Sequence, residues 1–212
     1  PTHEPVEHEA AMRLLEQMDN LEGRMSTLVL RPADSAETVA CWKMAMENTN
    51  SPSVLILSRQ DLQDIPPMSG VSRQEEAKAA EKGGYLVMAA DSSTSVDVTL
   101  VANGSEVSLL VNVAERLKAE GCNVAVASVP SIGLFLHQSE NYQNQVLPEG
   151  GVRFGLTAGL PIVLYPLMRG AGHWEVFGLE RFGASAPYKV LDQKFGYTVE
   201  NIYGRVKELI RK

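Results

Sequence analysis

Three short strings place residue types where they could do chemistry. Pro1-Thr2-His3-Glu4-Pro5 sets an imidazole between prolines, whose fixed φ stiffens the chain on either side and so holds the ring still. Ser58-Arg59-Gln60 follows a run of apolar residues that reads as a buried strand, and ligands of open α/β sheets gather beyond the carboxyl ends of their strands. The Arg59 guanidinium is a planar fork of donors suited to a phosphate, although on residue type alone an ordinary surface arginine is the stronger reading. Asn103-Gly104-Ser105-Glu106 is a glycine turn leading into a helix, a place where an anion can sit. A tight strand-to-helix turn capped by Ser105 accounts for the same residues more simply, and the sequence identifies no base to make Ser105 a nucleophile.

Little else could act alone. No Gly-x-Gly-x-x-Gly follows a strand and no Gly-Lys-Ser/Thr phosphate loop occurs. The four histidines, His3, His8, His137 and His173, lack metal-ligand spacing. His8 reads as a helix-surface residue, His137 as a packing residue on a mostly apolar helix, and His173 as an exposed residue in a glycine-rich turn. Cys41 falls in a predicted helix and Cys122 starts a predicted strand. Both read as buried thiols, which suits a reducing cytoplasm. A net charge of -7 argues against a protein that grips nucleic-acid backbones. No apolar run is long enough for a membrane span, and no secretory signal is visible. With 44% hydrophobic and 21% charged residues in 212, the chain has ordinary globular composition and can bury a sizeable core.

The elements that must position these groups fall into two unequal parts. In the first, residues 6–18 suit a helix and residues 26–30 a short strand ended by Arg31-Pro32. Asp34, with Glu37 three residues on, opens a second helix that gathers Val39, Trp42 and Met46 on one face. Residues 53–57 are apolar on both faces, as in a parallel strand covered on both sides. This strand–helix–strand unit belongs to an α/β sheet, yet two strands make a poor sheet, so earlier strands are expected to be missing. Residues 61–84 have linker composition, with Ser72 and Glu75 opening a polar helix that should lie over a surface, and Gly83-Gly84 ending it. In the second part, strands are predicted at 85–89, 98–101, 122–129, 152–156, 162–164 and 176–179. Helices are predicted at 106–120, 133–138, 141–146, 189–195 and 199–210, with Gly121 and Gly196 as stops. Alternating strands and helices again mean an α/β layer structure.

In order along the chain, several strings resemble transketolases. Pro1-Thr2-His3-Glu4-Pro5-Val6-Glu7-His8 is similar to a family segment that follows an Asp-Gly pair. Arg31-Pro32-Ala33-Asp34 and Leu57-Ser58-Arg59-Gln60 look like the next blocks. Gly83-Gly84-Tyr85 and the run from Val101 to Ser108 resemble the entry to the family's C-terminal domain. Arg181-Phe182-Gly183-Ala184-Ser185-Ala186-Pro187 and Lys194-Phe195-Gly196-Tyr197-Thr198 resemble its last blocks. The departure is Thr157-Ala158-Gly159-Leu160-Pro161, which stands where the family more typically carries a segment containing Glu-Ala-Gly.

The resemblance implies an α/β fold: an incomplete α/β sheet segment, followed by a mixed, mostly parallel sheet with helices on both faces. It divides the chain into residues 1–65, the end of a pyrimidine-binding domain; 66–84, a linker; and 85–212, the C-terminal domain. It also implies ketol transfer between sugar phosphates in the pentose phosphate pathway, by a cytoplasmic homodimer using thiamine diphosphate and Mg²⁺. His3 matches a histidine that hydrogen-bonds the sugar near its reacting carbons, where it could stabilise charge or move a proton. Arg59 matches the arginine that grips the substrate phosphate. No cofactor-binding or metal-binding position of the family falls in this chain, so neither cofactor nor metal is expected on it alone. Nor is activity. The missing initiator methionine fits a chain that begins within the second domain. Two other readings stand beside this one: a C-terminal domain that supports a dimer or binds an effector near Gly104-Ser105, and a related thiamine-dependent synthase.

Overall fold

A computed structural model describes residues 6–68 and 70–212; His3 lies outside the described residues. The first part supplies α1 (His8–Leu15), β1 (Leu28–Leu30), α2 (Ser35–Glu47) and β2 (Ser53–Leu55). β1 and β2 pair in parallel, Leu28 opposite Ser53 and Leu30 opposite Leu55, and the Ile56 N–H continues the ladder to the Leu30 carbonyl. Asp34 caps α2 as expected, accepting from the Glu37 N–H at 2.8 Å. The Glu37 carboxylate turns back to the Ala33 N–H at 2.8 Å, one residue before the position used in a reciprocal capping box.

Two expectations for this part are corrected. β2 was expected to be covered on both faces, but all three of its residues are half-buried, because β1 is its only described strand partner. The Val39, Trp42 and Met46 face of α2 is open to solvent, with Val39 72% and Met46 76% exposed. The buried residues of α2 are instead Ala36, Glu37 and Cys41.

The connecting stretch forms α3 (Arg73–Ala77) and a 3₁₀ turn at Lys78–Lys82, which Gly83 ends with φ +85°. The Ser72 side chain caps α3 by accepting from the Glu75 N–H. This helix does not simply lie over a surface. It buries Arg73, Glu76 and Ala77 against the body of the molecule, because Arg73 finds buried partners in Asp34 and Glu37 and Glu76 accepts from the Met68 N–H.

The second part holds β3 (Tyr85–Met88), β4 (Val98–Ala102), α4 (Glu106–Ala119), β5 (Val124–Ser128), α5 (Ile132–Leu136), α6 (Glu140–Val146), β6 (Val152–Leu156), a 3₁₀ stretch (Pro161–Met168), β7 (His173–Phe177), α7 (Tyr188–Phe195) and α8 (Val199–Ile210). The sheet order is β3-β5-β4-β6-β7, with β3 antiparallel and the other pairings parallel. Alternation along β4 sends Val98, Leu100 and Ala102 to one face and Val101 to the other. The first face packs on α4 and α8 through Leu110, Leu117, Ile202 and Val206. The second packs on α5, α6 and the 3₁₀ stretch through Ile132, Phe135, Val146 and Leu164. Helices thus cover both faces, and all five residues of β4 are buried, as a central parallel strand requires.

The predicted strand at 162–164 is a 3₁₀ stretch instead. Pro161 opens it and Pro166 lies within it, and neither can donate to a ladder. The last strand runs His173–Phe177 rather than 176–179. Its register starts at Val152 opposite His173. After Phe177, the chain leaves the strand at Gly178, where a Cβ would come within 2.8 Å of the Gly159 carbonyl oxygen. Cys122 is only half-buried. β5 starts two residues later, after Asn123, whose amide ties down the preceding loop at the Asp91, Thr94 and Ser95 carbonyls.

Candidate functional site

Arg59 sits on the bend just past β2, exposed to solvent. With Gln60 it borders a cavity of about 460 Å³ whose other wall is Ala184, Ser185, Ala186, Pro187, Tyr188 and Leu191. An adjoining cavity of about 500 Å³ shares Gln60, Ala184, Tyr188 and Leu191. Val6 lines this second cavity as well, so the chain just after the His3 string and the chain just after Arg59 reach one space. The cavity opens at the carboxyl ends of β4, β6 and β7, where Ser105, Ala158 and Leu179 line it. In the sheet order, β5 lies on one side of β4 and β6 on the other, which makes this the topological switch point at which ligands of open sheets bind. Among the described residues, its charged lining is Asp61, Glu106 and Asp192. Burial, and secondarily Glu106, raise the Asp192 carboxyl above the usual carboxylate range.

The turn after β4 is packed against the Arg31 side chain. Gly104 has φ +61°, and a Cβ there would lie 2.7 Å from the Arg31 guanidinium, so glycine is required for conformation and for space. Arg31 Nη1 donates to the Asn103 carbonyl at 2.9 Å, to Asn103 Oδ1 at 2.7 Å and to Glu106 Oε2 at 2.5 Å. Glu106 Oε2 also accepts from the Ala158 N–H at 3.0 Å. Ser105 is not a side-chain cap: its hydroxyl donates to Glu106 Oε1. On the far side of Arg31, its Nε lies 3.7 Å from Glu9 Oε2, and Arg13 Nη2 donates to Glu9 Oε1 at 3.3 Å. Burial opposes the charge on Arg31, but Glu106 and Glu9 outweigh it and hold the guanidinium protonated. Glu9, Arg13, Arg31, Asn103 and Glu106 are all buried.

Two further buried clusters tie the parts together. Glu16 accepts from the Val29 N–H at 3.1 Å, from the Ser131 hydroxyl and the Gly133 N–H at 3.3 Å each, and from Arg13 at 3.2 Å. Arg73 pairs with Asp34 at 2.6 Å and Glu37 at 3.2 Å, and the Tyr85 hydroxyl donates to Glu37 at 2.7 Å. Burial raises both the Glu16 and the Glu37 carboxyls, with Arg13 and Tyr85 the leading opposing groups respectively.

Of the other residues singled out by the sequence, His8 is exposed at the start of α1 and His173 at the start of β7. His137 is exposed rather than packed, with Nδ1 2.7 Å from the Gly133 carbonyl oxygen at the end of α5. Burial pushes the Cys41 thiol well above its usual range, as for an inert core thiol. Among the described residues no group of three His, Cys, Asp or Glu could hold a metal, and no helix is long and apolar enough to cross a membrane. Sequence reading missed the Arg31 cluster. Its one local signal was the i, i+4 and i, i+3 spacing of Glu9, Arg13 and Glu16 on α1.

Residues 1–64 match the family described as "Transketolase, pyrimidine binding domain", and residues 83–198 match the "Transketolase-like TK C-terminal domain". The chain belongs to the transketolase family. It is 38% identical to a Bacillus subtilis transketolase over 221 aligned residues, covering 100% of this chain and 30% of that protein. A Pichia stipitis transketolase mutant in complex with xylulose-5-phosphate superposes with TM-score 0.80 at 33% identity, covering 100% of this chain and 28% of that one. A Leishmania mexicana transketolase gives TM-score 0.80 at 35% identity, over 100% of this chain and 28% of that one. The chain therefore spans about 30% of the length of such a transketolase, the part that carries Arg59 and the five-stranded sheet.

Proposed function

We propose that this chain forms the C-terminal part of a transketolase, an enzyme that moves a two-carbon ketol unit from a ketose phosphate to an aldose phosphate in the pentose phosphate pathway. The observation that carries the reading is the transketolase match along the whole chain, with Arg59 beyond a parallel strand and exposed on a cavity. There its guanidinium is free to take a substrate phosphate in charge-assisted, bidentate hydrogen bonds. His3, by its place in the Pro-Thr-His string, would hydrogen-bond the sugar near its reacting carbons and hold or pass a proton there.

Thiamine diphosphate supplies the carbanion and the electron sink for such a reaction. The described residues do not fit it: the larger cavity presents Asp61, Glu106 and Asp192 and no basic side chain, a lining that repels a diphosphate. Cofactor and Mg²⁺ are therefore assigned to other segments of the enzyme, and this chain alone is expected to be inert. The same reading makes the working enzyme a cytoplasmic homodimer. It divides this chain at 1–65, 66–84 and 85–212.

A ketol-transfer assay with xylulose 5-phosphate, ribose 5-phosphate, thiamine diphosphate and Mg²⁺ tests the proposal. The purified chain should give no turnover, and turnover should appear when the cofactor-binding segments of a related transketolase are added. Turnover by the chain alone would overturn it.

A further inference from the structure

The Arg31 cluster joins two regions that are far apart in sequence, and it does so at a particular place. Asn103 lies in the turn after β4 and Glu106 opens α4, both in the five-stranded part. Arg31 follows β1, and Glu9 lies in the first turn of α1. The Glu106 carboxylate bridges the Arg31 guanidinium and the Ala158 N–H beyond β6. Beside it, Gly159 closes on α1: a Cβ there would stand 3.3 Å from Glu9 Oε2 and 3.5 Å from the Val6 carbonyl oxygen. Asn103 Nδ2 also lies within 3.5 Å of Glu9 Oε1. The start of α1 is thus held at Glu9 by Arg31 and by the loops after β4 and β6, with Arg13 of the same helix pairing the other carboxylate oxygen. His8 opens α1, and His3 is five residues before it.

We infer that Arg31, Glu106 and Gly159 are positioning residues, through which the C-terminal part of the chain fixes the start of α1, a few residues along the sequence from His3. The inference rests on the reading of His3 given above. It assigns the C-terminal domain a part in the reaction that acts through α1. Arg31 is suited to the task because one planar guanidinium spans Glu9, Asn103 and Glu106, which a lysine ammonium could not do. A buried pair that loses one partner leaves the other charge uncompensated, so the grip should respond sharply to small changes. Arg59 lies on a different arm, the bend after β2, and should be left largely undisturbed.

The test uses the transketolase that contains this chain, with Glu106→Gln, which keeps the shape and removes the charge. The milder Gly159→Ala, which pushes on Glu9 without removing any charge from the cluster, serves if the first variant folds poorly. Backbone hydrogen exchange across His8–Leu15, together with kcat and KM per folded enzyme, are the readouts. The inference predicts about tenfold faster exchange in α1, with β4 and β6 unchanged. It predicts that kcat falls about tenfold while KM for the ketose phosphate stays within about twofold. Unchanged exchange in α1 would overturn the inference, as would faster exchange with no loss of kcat, or a loss that only follows the folded fraction. His3→Ala is measured separately. If it leaves kcat unchanged, the reading of His3 fails, whatever the exchange data say about the grip.

Discussion

In β4 every residue is buried, and the strand is sandwiched between α4 and α8 on one face and α5, α6 and the 3₁₀ stretch on the other. In β2 every residue is half-buried, and its only described strand partner is β1. The part that contains β4 is held by apolar packing, which is non-directional and grows with buried area. The part that contains β2 is held to it largely by buried ion pairs and hydrogen bonds to buried charges: Arg31 pairs with Glu106, Glu16 accepts from the Ser131 hydroxyl and the Gly133 N–H, and Glu37, paired with Arg73, accepts from the Tyr85 hydroxyl. Such contacts add little net stability, because desolvation offsets the attraction, but they tolerate almost no misplacement. The small part, which bears Arg59, is therefore placed by the large part rather than by a core of its own.

The contrast can be broken from either side. Phe154→Ala empties the centre of the apolar part and should cost about 3–5 kcal/mol, read as a lower urea midpoint for the whole chain. Arg73→Met leaves Asp34 and Glu37 buried without their cation and should cost about 3 kcal/mol. Its mark should be local, with faster hydrogen exchange in α2 and α3 while β4 stays protected.

The pH response should be smaller and of a definite sign. The Glu37 and Glu16 carboxyls have folded-state pKa values raised, chiefly by burial, above their ordinary value of 4.5. Their favourable contribution is complete below that unfolded value and is lost as pH rises through the folded one. The thermal midpoint should accordingly fall as pH is raised above about 4.5, and it should fall less in Glu37→Gln. Least of all, Val39→Ser on the open face of α2 should change stability by under about 0.5 kcal/mol, measured by urea titration.

Much of the apolar part was legible in the sequence. β4, α4 and α8 carry the periodicity that their burial requires, Gly121 marks the end of α4 and Gly196 the end of α7, and in the other part Asp34 announces the start of α2. The 3₁₀ stretch was misread because Ile162-Val163-Leu164 is a short apolar run that periodicity cannot assign, and the flanking prolines decided it. The exposed face of α2 was misread because apolar spacing tells which residues share a face, not what covers it. The charge clusters were not legible because their partners are distant: Arg31 and Glu106 are 75 residues apart, and neither sits in a pattern that names the other. Apart from the resemblance of Leu57-Ser58-Arg59-Gln60, Arg59 drew attention only through its place after a strand, since an exposed arginine has no local mark of function.

In the function proposed above, Arg59 in the small part takes the substrate phosphate. The most direct measurement is ketol transfer by this chain combined with the cofactor-binding segments of a relative, comparing wild type with Arg59→Ala. Loss of a charge-assisted contact worth about 1.5–3 kcal/mol predicts that KM for the ketose phosphate rises about 10–100-fold, with a much smaller change in kcat. An unchanged KM would contradict the account.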